Sequence, residues 1–192
     1  MGRKKNYERT DVLAKARDCF WRSGYEGAHL SDLVEATGLN RFSLYKEFDG
    51  KAGLFLEALE LYAQEAKAFY DGHLCRDPLG LANIRAYFDA LKVEPDYQGC
   101  FIVNTLTEQA TVPGAAFNVA RNFVDQVEER FRNNLIAALK NGDLADDTDV
   151  TALARTLVCL DNGIAVFGIV RPDQSVVKTT ANLYLDAVLK PA

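Results

Sequence analysis

The segment GLNRFSLYKEF, from Gly38 to Phe48, carries the strongest signal in this chain. Leu44 and Phe48 are four residues apart, a spacing that puts both side chains on one face of a helix. With about 100° of rotation per residue, Phe42 and Lys46 point most nearly away from that face. A short helix that exposes an aromatic ring and a cation together indicates a binding surface.

The residues before this segment predict a second short helix, which begins near Leu30 and ends at Gly38, a natural left-handed position. Asn40 predicts the N-cap of a third helix that holds Arg41 to Glu47. Two short helices joined by a glycine turn are the helix-turn-helix arrangement, in which the second helix enters the major groove of DNA.

In such an arrangement Arg41 and Lys46 would meet phosphates or base edges. Phe42 would lie against a thymine methyl group or the sugar–phosphate wall. The alternative, from these residues alone, is a helical hairpin in which Phe42 packs on a neighbouring element.

The rest of the chain has helical periodicity, and no segment shows the two-residue alternation of a half-buried strand. We therefore predict an all-α fold. The further helices are expected at about 10–23, from Lys51 onward, and at 79–91, 100–110, 115–140, 150–169 and 175–189.

The composition describes a globular protein. The chain has 192 residues, of which 48% are hydrophobic, so one or two small domains can bury a core. No run is rich in Gly, Ser or Pro, which argues against disorder. Because no apolar run reaches the length of a membrane span and no secretory segment is apparent, we expect a soluble, cytoplasmic protein.

The charge is unevenly distributed along the chain. The net charge is −5, but residues 1–51 carry ten Lys and Arg against eight Asp and Glu, and the remainder carries twelve against nineteen. The start is locally basic, with Arg3, Lys4, Lys5 and Arg9. A basic head before an acidic body indicates a phosphate-facing end.

Signals for catalysis or metal binding are weak. His29 and His73 are the only histidines, and neither lies beside a promising Ser or Cys. No metal-ligand spacing or phosphate-binding glycine loop appears, so no cofactor is expected. The four cysteines (Cys19, Cys75, Cys100, Cys159) are far apart, and we interpret them as small buried hydrophobes. An enzyme with a helical active site, and a helical small-molecule-binding protein without a DNA role, remain the alternatives.

The segment LAKARDCFWRSGYEGAHLSDLVEATGLNRFSLYKEFDGKAGLFLEAL resembles the N-terminal domain of the TetR family of transcriptional regulators. The resemblance covers roughly Arg9 to Leu59, with many matched positions at fixed offsets. It implies two domains: a helix-turn-helix DNA-binding domain over 1–51 and a helical effector-binding and dimerisation domain over 52–192. It further implies a homodimeric repressor that binds double-stranded operator DNA and that a small molecule releases.

The resemblance also implies which residues contact DNA. Tyr45 falls where the family contacts a phosphate, and Lys51 lies at the start of the fourth helix, where the cation and the helix N-terminus face the backbone. Two residues depart from the family pattern. Phe42 replaces a small residue, and the acidic Glu47 would either accept from a cytosine amino group or pair with Lys51. The predicted DNA contacts are Arg41, Phe42, Ser43, Tyr45, Lys46 and Lys51.

A second segment, GCFIVNTLTEQ at 99–109, resembles one found in a branch of the family where it opens the sixth helix. It carries polar residues within an apolar helix, and Asp161 is a polar residue in a second apolar helix further along the chain. Such groups either bond to one another and the backbone or line a ligand cavity. Cys100, at a predicted helix N-terminus, is either an electrophile-sensing thiol or an inert one. The predicted ligand-binding residues are Cys100, Asn104, Thr105, Glu108 and Asp161.

The last two predicted helices offer more apolar surface than a monomer needs. They include Leu153, Leu157, Leu160 and Ile164 on the first, and Leu183, Leu185 and Val188 on the second. We predict that these helices form the homodimer across a two-fold axis.

Overall fold

The computed structural model describes residues 7–189, and within that range the chain is helical with no strand, which confirms the all-α prediction. The helices are α1 (Arg9–Gly27), α2 (Leu30–Thr37), α3 (Arg41–Phe48), α4 (Gly50–Leu74), α5 (Leu81–Ala90), α6 (Phe101–Thr107), α7 (Gly114–Lys140), α8 (Val150–Val170) and α9 (Gln174–Val188).

The turns around α3 form as the sequence predicts. Gly38 adopts a left-handed conformation with φ 71° and ends α2, and the Asn40 side chain accepts a hydrogen bond from the Ser43 amide at 2.8 Å. Asp49, which lies between α3 and α4, and Gly50, the first residue of α4, both have positive φ. These caps satisfy amides and carbonyls that helix ends leave unpaired.

Two helices differ from their predicted extents. Helix α1 was expected to end at Ser23, but it continues to Gly27 after a non-helical break at Gly24. Helix α6 was expected over 100–110 and covers only Phe101–Thr107. The amides of Thr111 and Val112 turn back onto the carbonyl of Glu108, which ends the helical ladder early.

The chain divides into two compact units. The first holds residues 7–65 together with Phe101–Arg121, and the second holds Ala66–Cys100 together with residues 122–189. Helix α4 contributes to both. The predicted domain boundary between residues 51 and 52 falls in the first turn of α4, and it stays a prediction.

The first unit has an apolar core with an aromatic cluster. Phe20 and Phe55 are fully buried and meet edge to face, with ring centroids 4.9 Å apart. Phe101, from α6, packs between Phe55 on α4 and Trp21 on α1, with centroid distances of 5.5 and 6.1 Å. Aromatic side chains thus join α1, α4 and α6.

The second unit has its own core, centred on Tyr87, Phe88 and Phe131, all of them fully buried. Its buried Asn134 is bonded on both sides of its amide. The Asn134 Nδ2 atom donates to the Leu74 carbonyl at 2.7 Å, while the Oδ1 atom accepts from the Gly80 amide at 3.0 Å. This side chain satisfies backbone groups in the connection between α4 and α5.

Two expectations from composition are corrected. The first is that no apolar run reaches the length of a membrane span, because helix α8 has that length and apolar composition. Core helices of soluble proteins share these properties. Asp161 lies in this helix with its carboxylate hydrogen-bonded inside the second unit. The cysteines are all free, but only Cys19 is buried, whereas Cys75 and Cys159 are exposed.

Candidate DNA interface and effector residues

Helix α3 presents a polar and aromatic face to solvent. Leu44 and Phe48 are 0% and 3% exposed, whereas Phe42 is 75% exposed and Tyr45 51% exposed. Arg41 and Lys46 are exposed beside these rings. The helix is therefore anchored by two apolar side chains and offers a cationic, aromatic face to a partner.

The turn between α3 and α4 is closely packed. The Tyr45 ring lies against Gly50, where an added Cβ atom would come within 3.0 Å of Tyr45 Cε1. At Gly53 an added Cβ atom would lie only 1.8 Å from the carbonyl oxygen of Phe48, so α4 approaches the end of α3 at a distance that only glycine permits. This close contact restricts the orientation of α3 relative to α4.

Lys51, in the first turn of α4, has partners at the end of α1. Its Nζ atom donates to the carbonyl of Glu26 at 3.3 Å and lies 4.7 Å from the centroid of the Tyr25 ring. Partial burial lowers the pKa of Lys51, while the nearby carboxylates of Glu26 and Asp32 oppose that shift. The cation is thus held in place at the end of α1.

Arg9 joins three helices at the C-terminal end of α3. Its Nη2 atom donates to both carboxylate oxygens of Glu57, at 2.6 and 2.7 Å. Its guanidinium lies 4.3 Å from the ring centroid of Phe48, and its Nη1 atom is 3.9 Å from the Glu47 carboxylate. We refer to Arg9, Glu47, Phe48 and Glu57 as the Arg9 cluster.

The Arg9 cluster gives Glu47 a partner that the sequence did not indicate. The Glu47 carboxylate pairs with Arg9 of α1. The sequence had instead suggested Lys51 or a cytosine amino group as the partner of Glu47. Sequence reasoning noted Arg9 only as part of the basic head. The other members of that head (Arg3, Lys4, Lys5) lie outside the described residues.

Three predicted ligand-binding residues lie in the first unit. The Thr105 hydroxyl is buried and donates to the carbonyl of Phe101 at 2.8 Å. The Asn104 carbonyl accepts from the Thr107 hydroxyl at 2.8 Å. The Glu108 carboxylate accepts from the backbone amide of Tyr25 at 2.8 Å.

Asp161 lies in the second unit between two tyrosines. Its carboxylate oxygens accept from the hydroxyls of Tyr70, on α4, and Tyr87, on α5, at 2.6 and 2.7 Å. The two rings stack with centroids 4.9 Å apart. Burial raises the pKa of Asp161, although the two tyrosine hydrogen bonds partly oppose the shift.

Cys100 is partly exposed in the second unit. Tyr97 lies close by in the sequence, and burial raises its pKa, with smaller contributions from Cys100 and Asp161.

The second unit also has two cavities that the sequence did not predict. One of about 570 Å³ is lined by Phe69 of α4 and by residues of α5, the segment after it and α9, including Lys92 and Lys178. An apolar groove of about 300 Å³ lies between α8 and α9.

This arrangement of helices matches known regulatory proteins. Residues 12–58 match the family model described as bacterial regulatory proteins, tetR family. Residues 80–179 match the model described as tetracyclin repressor-like, C-terminal domain. Together the two matches cover the helix-turn-helix and most of the second unit.

Individual relatives agree with the family models. The HTH-type transcriptional repressor ComR of Escherichia coli (strain K12) is 33% identical over 172 residues, which cover 86% of this chain and 81% of that protein. The uncharacterized HTH-type transcriptional regulator YezE of Bacillus subtilis (strain 168) is 33% identical over 162 residues, covering 82% and 84% of the two chains.

Among solved structures, a cysteine mutant of the TetR family transcriptional regulator CifR, complexed with 26-bp double-strand operator DNA, superimposes with a TM-score of 0.85. The sequences are 27% identical, and the match covers 97% of this chain and all of that chain.

The helix-turn-helix and the helical second unit define a DNA-binding transcriptional regulator, and not an enzyme. The chain belongs to the TetR family of bacterial regulatory proteins. Proteins of this family are dimeric and bind small-molecule effectors.

Proposed function

We propose that this protein is a homodimeric repressor that acts in the cytoplasm and leaves its operator when a small molecule binds to its C-terminal helices. The observation that carries the proposal is the exposed face of α3, where Arg41, Phe42, Tyr45 and Lys46 surround a buried apolar anchor. The relatives support it, because ComR is named a repressor and CifR was solved with operator DNA.

The proposed DNA contacts divide into two kinds. Tyr45 and Lys51 contact phosphates and fix the position of the protein on the duplex, whereas Arg41, Phe42, Ser43 and Lys46 reach base edges or phosphates. Two copies of α3, related by a two-fold axis, would enter successive major grooves about 34–36 Å apart, or modestly wider.

The exposed apolar surface of α8 and α9 supports the dimer. Val170 and Leu183 are 63% and 73% exposed, and the groove between the two helices is lined largely by apolar side chains. A monomer would leave these groups in water, whereas a four-helix arrangement with a second copy would cover them. Further exposed apolar side chains on this surface are Val166, Phe167, Ile169 and Val176.

The effector proposal centres on Asp161. An effector with a cationic or hydrogen-bond-donating group would compete with the Tyr70 hydroxyl for this carboxylate. Because Tyr70 lies in α4, the helix whose first turn carries Lys51, displacement of Tyr70 would act on the helix that supports the DNA contacts. A coupling of about 1–3 kcal/mol would change operator affinity by about 5–150-fold.

The predicted effector roles of Cys100, Asn104, Thr105 and Glu108 remain predictions. A reactive electrophile at Cys100 is the rival trigger to a reversible ligand at Asp161. A reversible ligand should release DNA equally from the wild-type protein and from Cys100→Ser. An electrophile should fail on Cys100→Ser.

The experiment that tests the proposal is fluorescence anisotropy with labelled DNA from upstream of the protein's own gene, repeated with a panel of cations, aromatics and quinones. We expect salt-dependent binding that Lys46→Ala weakens. Absence of binding to any upstream fragment would contradict the repressor function. If no compound in the panel releases DNA or shifts the melting temperature, effector control loses its support.

A further inference from the structure

Helix α1 contains a break that is bonded to a distant part of the chain. Gly24 has φ 72° and ψ 173°, so the ladder of helical hydrogen bonds is interrupted there. The next amide, that of Tyr25, donates to the Glu108 Oε2 atom at 2.8 Å, across 83 residues of sequence. The partly buried amide is thereby satisfied by a carboxylate.

The space beside Gly24 is filled by the same carboxylate. A Cβ atom at this position would lie 2.9 Å from Glu108 Oε1 and 3.1 Å from Oε2. Glycine is therefore required for two reasons, the positive φ and the close approach of Glu108. The break and the carboxylate form one structural feature, which we call the α1 latch (Gly24, Tyr25 and Glu108).

Glu108 is held firmly on the side of α6. It follows the last residue of α6, and its carbonyl accepts from the amides of Thr111 and Val112 at 2.9 and 3.1 Å. A negative side chain is unfavourable at the C-terminal end of a helix, because the macrodipole is negative there. The amide of Tyr25 supplies a favourable partner for this charge.

Helix α6 also contacts α1 before the break. Phe101, the first residue of α6, stacks on Trp21 with ring centroids 6.1 Å apart. One end of α6 thus contacts α1 through Trp21, and the residue after its other end bonds to Tyr25. A movement of α6 would change the angle at Gly24.

The segment after the break is joined to a predicted DNA contact. The Tyr25 ring lies 4.7 Å from the Lys51 Nζ atom, and the next residue, Glu26, accepts from Lys51 through its carbonyl. After that segment the chain enters α2 of the helix-turn-helix through the buried Ala28. The segment after the break therefore contacts Lys51 and leads directly into α2.

We propose that Glu108 is a positioning residue for operator binding, because its carboxylate sets the break in α1 and transmits the position of α6 to the helix-turn-helix. This inference rests on the proposed repressor function. It gives Glu108 a role distinct from the predicted contact with an effector. Only one arrangement of the latch presents Lys51 and α3 correctly to DNA.

The test measures operator affinity by anisotropy in Glu108→Ala, Glu108→Gln and the charge-matched control Glu35→Gln. Glu35 is exposed on α2, so its replacement removes the same charge from the same unit without touching the latch. Loss of one acid near DNA would by itself leave affinity unchanged or raise it slightly. Loss of the latch lowers affinity, because the binding-competent arrangement is then only a fraction of the population.

We expect Glu108→Ala to bind operator about tenfold more weakly, if the competent fraction falls to about one tenth. Glu108→Gln keeps one acceptor oxygen but loses the charge assistance, so its affinity should lie between those of the alanine variant and the wild type. Glu35→Gln should bind like the wild type or slightly more tightly. Equal affinity of Glu108→Ala and Glu35→Gln would overturn the positioning role.

A second measurement does not require DNA. Hydrogen exchange at the Tyr25 amide, followed by NMR, should be about tenfold or more faster in Glu108→Ala than in the wild type. Unchanged exchange would overturn the latch itself. If the proposed repressor function is wrong, the wild-type protein will not bind operator DNA. The exchange measurement would still show whether Glu108 protects the Tyr25 amide. If the alanine variant does not fold, the glutamine variant decides both measurements.

Discussion

The Arg9 cluster makes a prediction in which simple electrostatics and structure give opposite signs. Glu57 lies on α4 and accepts two hydrogen bonds from Arg9, which also contacts Phe48 at the end of α3. Replacement of Glu57 by Gln removes a negative charge from the DNA-binding unit. Electrostatics alone would then favour DNA. If the cluster holds α3 in place, the same change should weaken operator binding.

The magnitude follows from the contacts. An exposed ion pair contributes about 0.2–1 kcal/mol, and an exposed cation–π contact about 0.5–1 kcal/mol. Loss of the whole cluster in Arg9→Met should therefore cost about 1–2 kcal/mol of unfolding free energy, which lowers the melting temperature by about 2–8 °C. Glu57→Gln loses the ion pair and loosens the guanidinium over Phe48, so we expect about a two- to fivefold loss of operator affinity.

The assay compares Glu57→Gln with Glu60→Gln by anisotropy at two salt concentrations. Glu60 is exposed on the same helix, three residues further on, and serves as the charge-matched control. Arg9→Met is used only for thermal unfolding, because Arg9 also contributes positive charge near DNA. If Glu57→Gln binds operator as tightly as Glu60→Gln, or more tightly, the Arg9 cluster does not position α3.

Three further outcomes are expected. Tyr45→Phe and Lys46→Ala should each weaken operator binding while the helical circular dichroism signal is unchanged, and wild-type affinity in both would contradict the docking of α3. Leu183→Glu, on the exposed surface of α9, should shift the mass measured by light scattering from dimer to monomer, whereas a persistent dimer would place the interface elsewhere. Burial raises the pKa of Asp161 above its ordinary 3.8, so its contribution to stability is greatest below about pH 4 and is lost as the pH rises through the folded-state pKa. Urea unfolding should therefore show the advantage of Asp161→Asn over wild type growing with pH, and a constant difference would contradict this.

The helices of the DNA-binding unit could be predicted because their signals are local. Asn40 caps α3, and Gly38 ends α2, through hydrogen bonds and backbone angles that involve residues within four positions. The burial of Leu44 and Phe48 follows from their spacing alone. Such features depend on backbone geometry and periodicity, which a single sequence displays directly.

The end of α1 could not be predicted in the same way. Gly24 has the local character of a helix stop, and the sequence placed the end of the helix at Ser23. The helix resumes after the break and runs to Gly27. The Tyr25 amide, which follows the break, has a hydrogen-bond partner in the Glu108 carboxylate. Glu108 lies 83 positions away from Tyr25, so no local sequence pattern predicts this contact.

The same reasoning applies to the polar residues inside apolar helices. The sequence left two explanations open for Glu108 and Asp161, internal bonding or a ligand cavity. Asp161 is bonded to Tyr70 and Tyr87, and tyrosines look like ordinary core residues in a sequence because their rings follow the apolar period. Their hydroxyls become visible as partners only when α4, α5 and α8 are packed together.

Internal bonding and effector binding need not exclude each other at Asp161. An isolated carboxylate in an apolar core is costly, so two phenol donors are needed to stabilise it in the absence of ligand. An effector group that replaces Tyr70 would keep the carboxylate satisfied while it frees a residue of α4. The ligand would then bind the two arrangements of α4 with different affinities, which is the condition for any ligand to shift an equilibrium. Tyr70→Phe removes the bond without a ligand, and we expect it to lower operator affinity as an effector would. Unchanged affinity in this variant, measured by anisotropy, would remove Tyr70 from the route between effector and DNA.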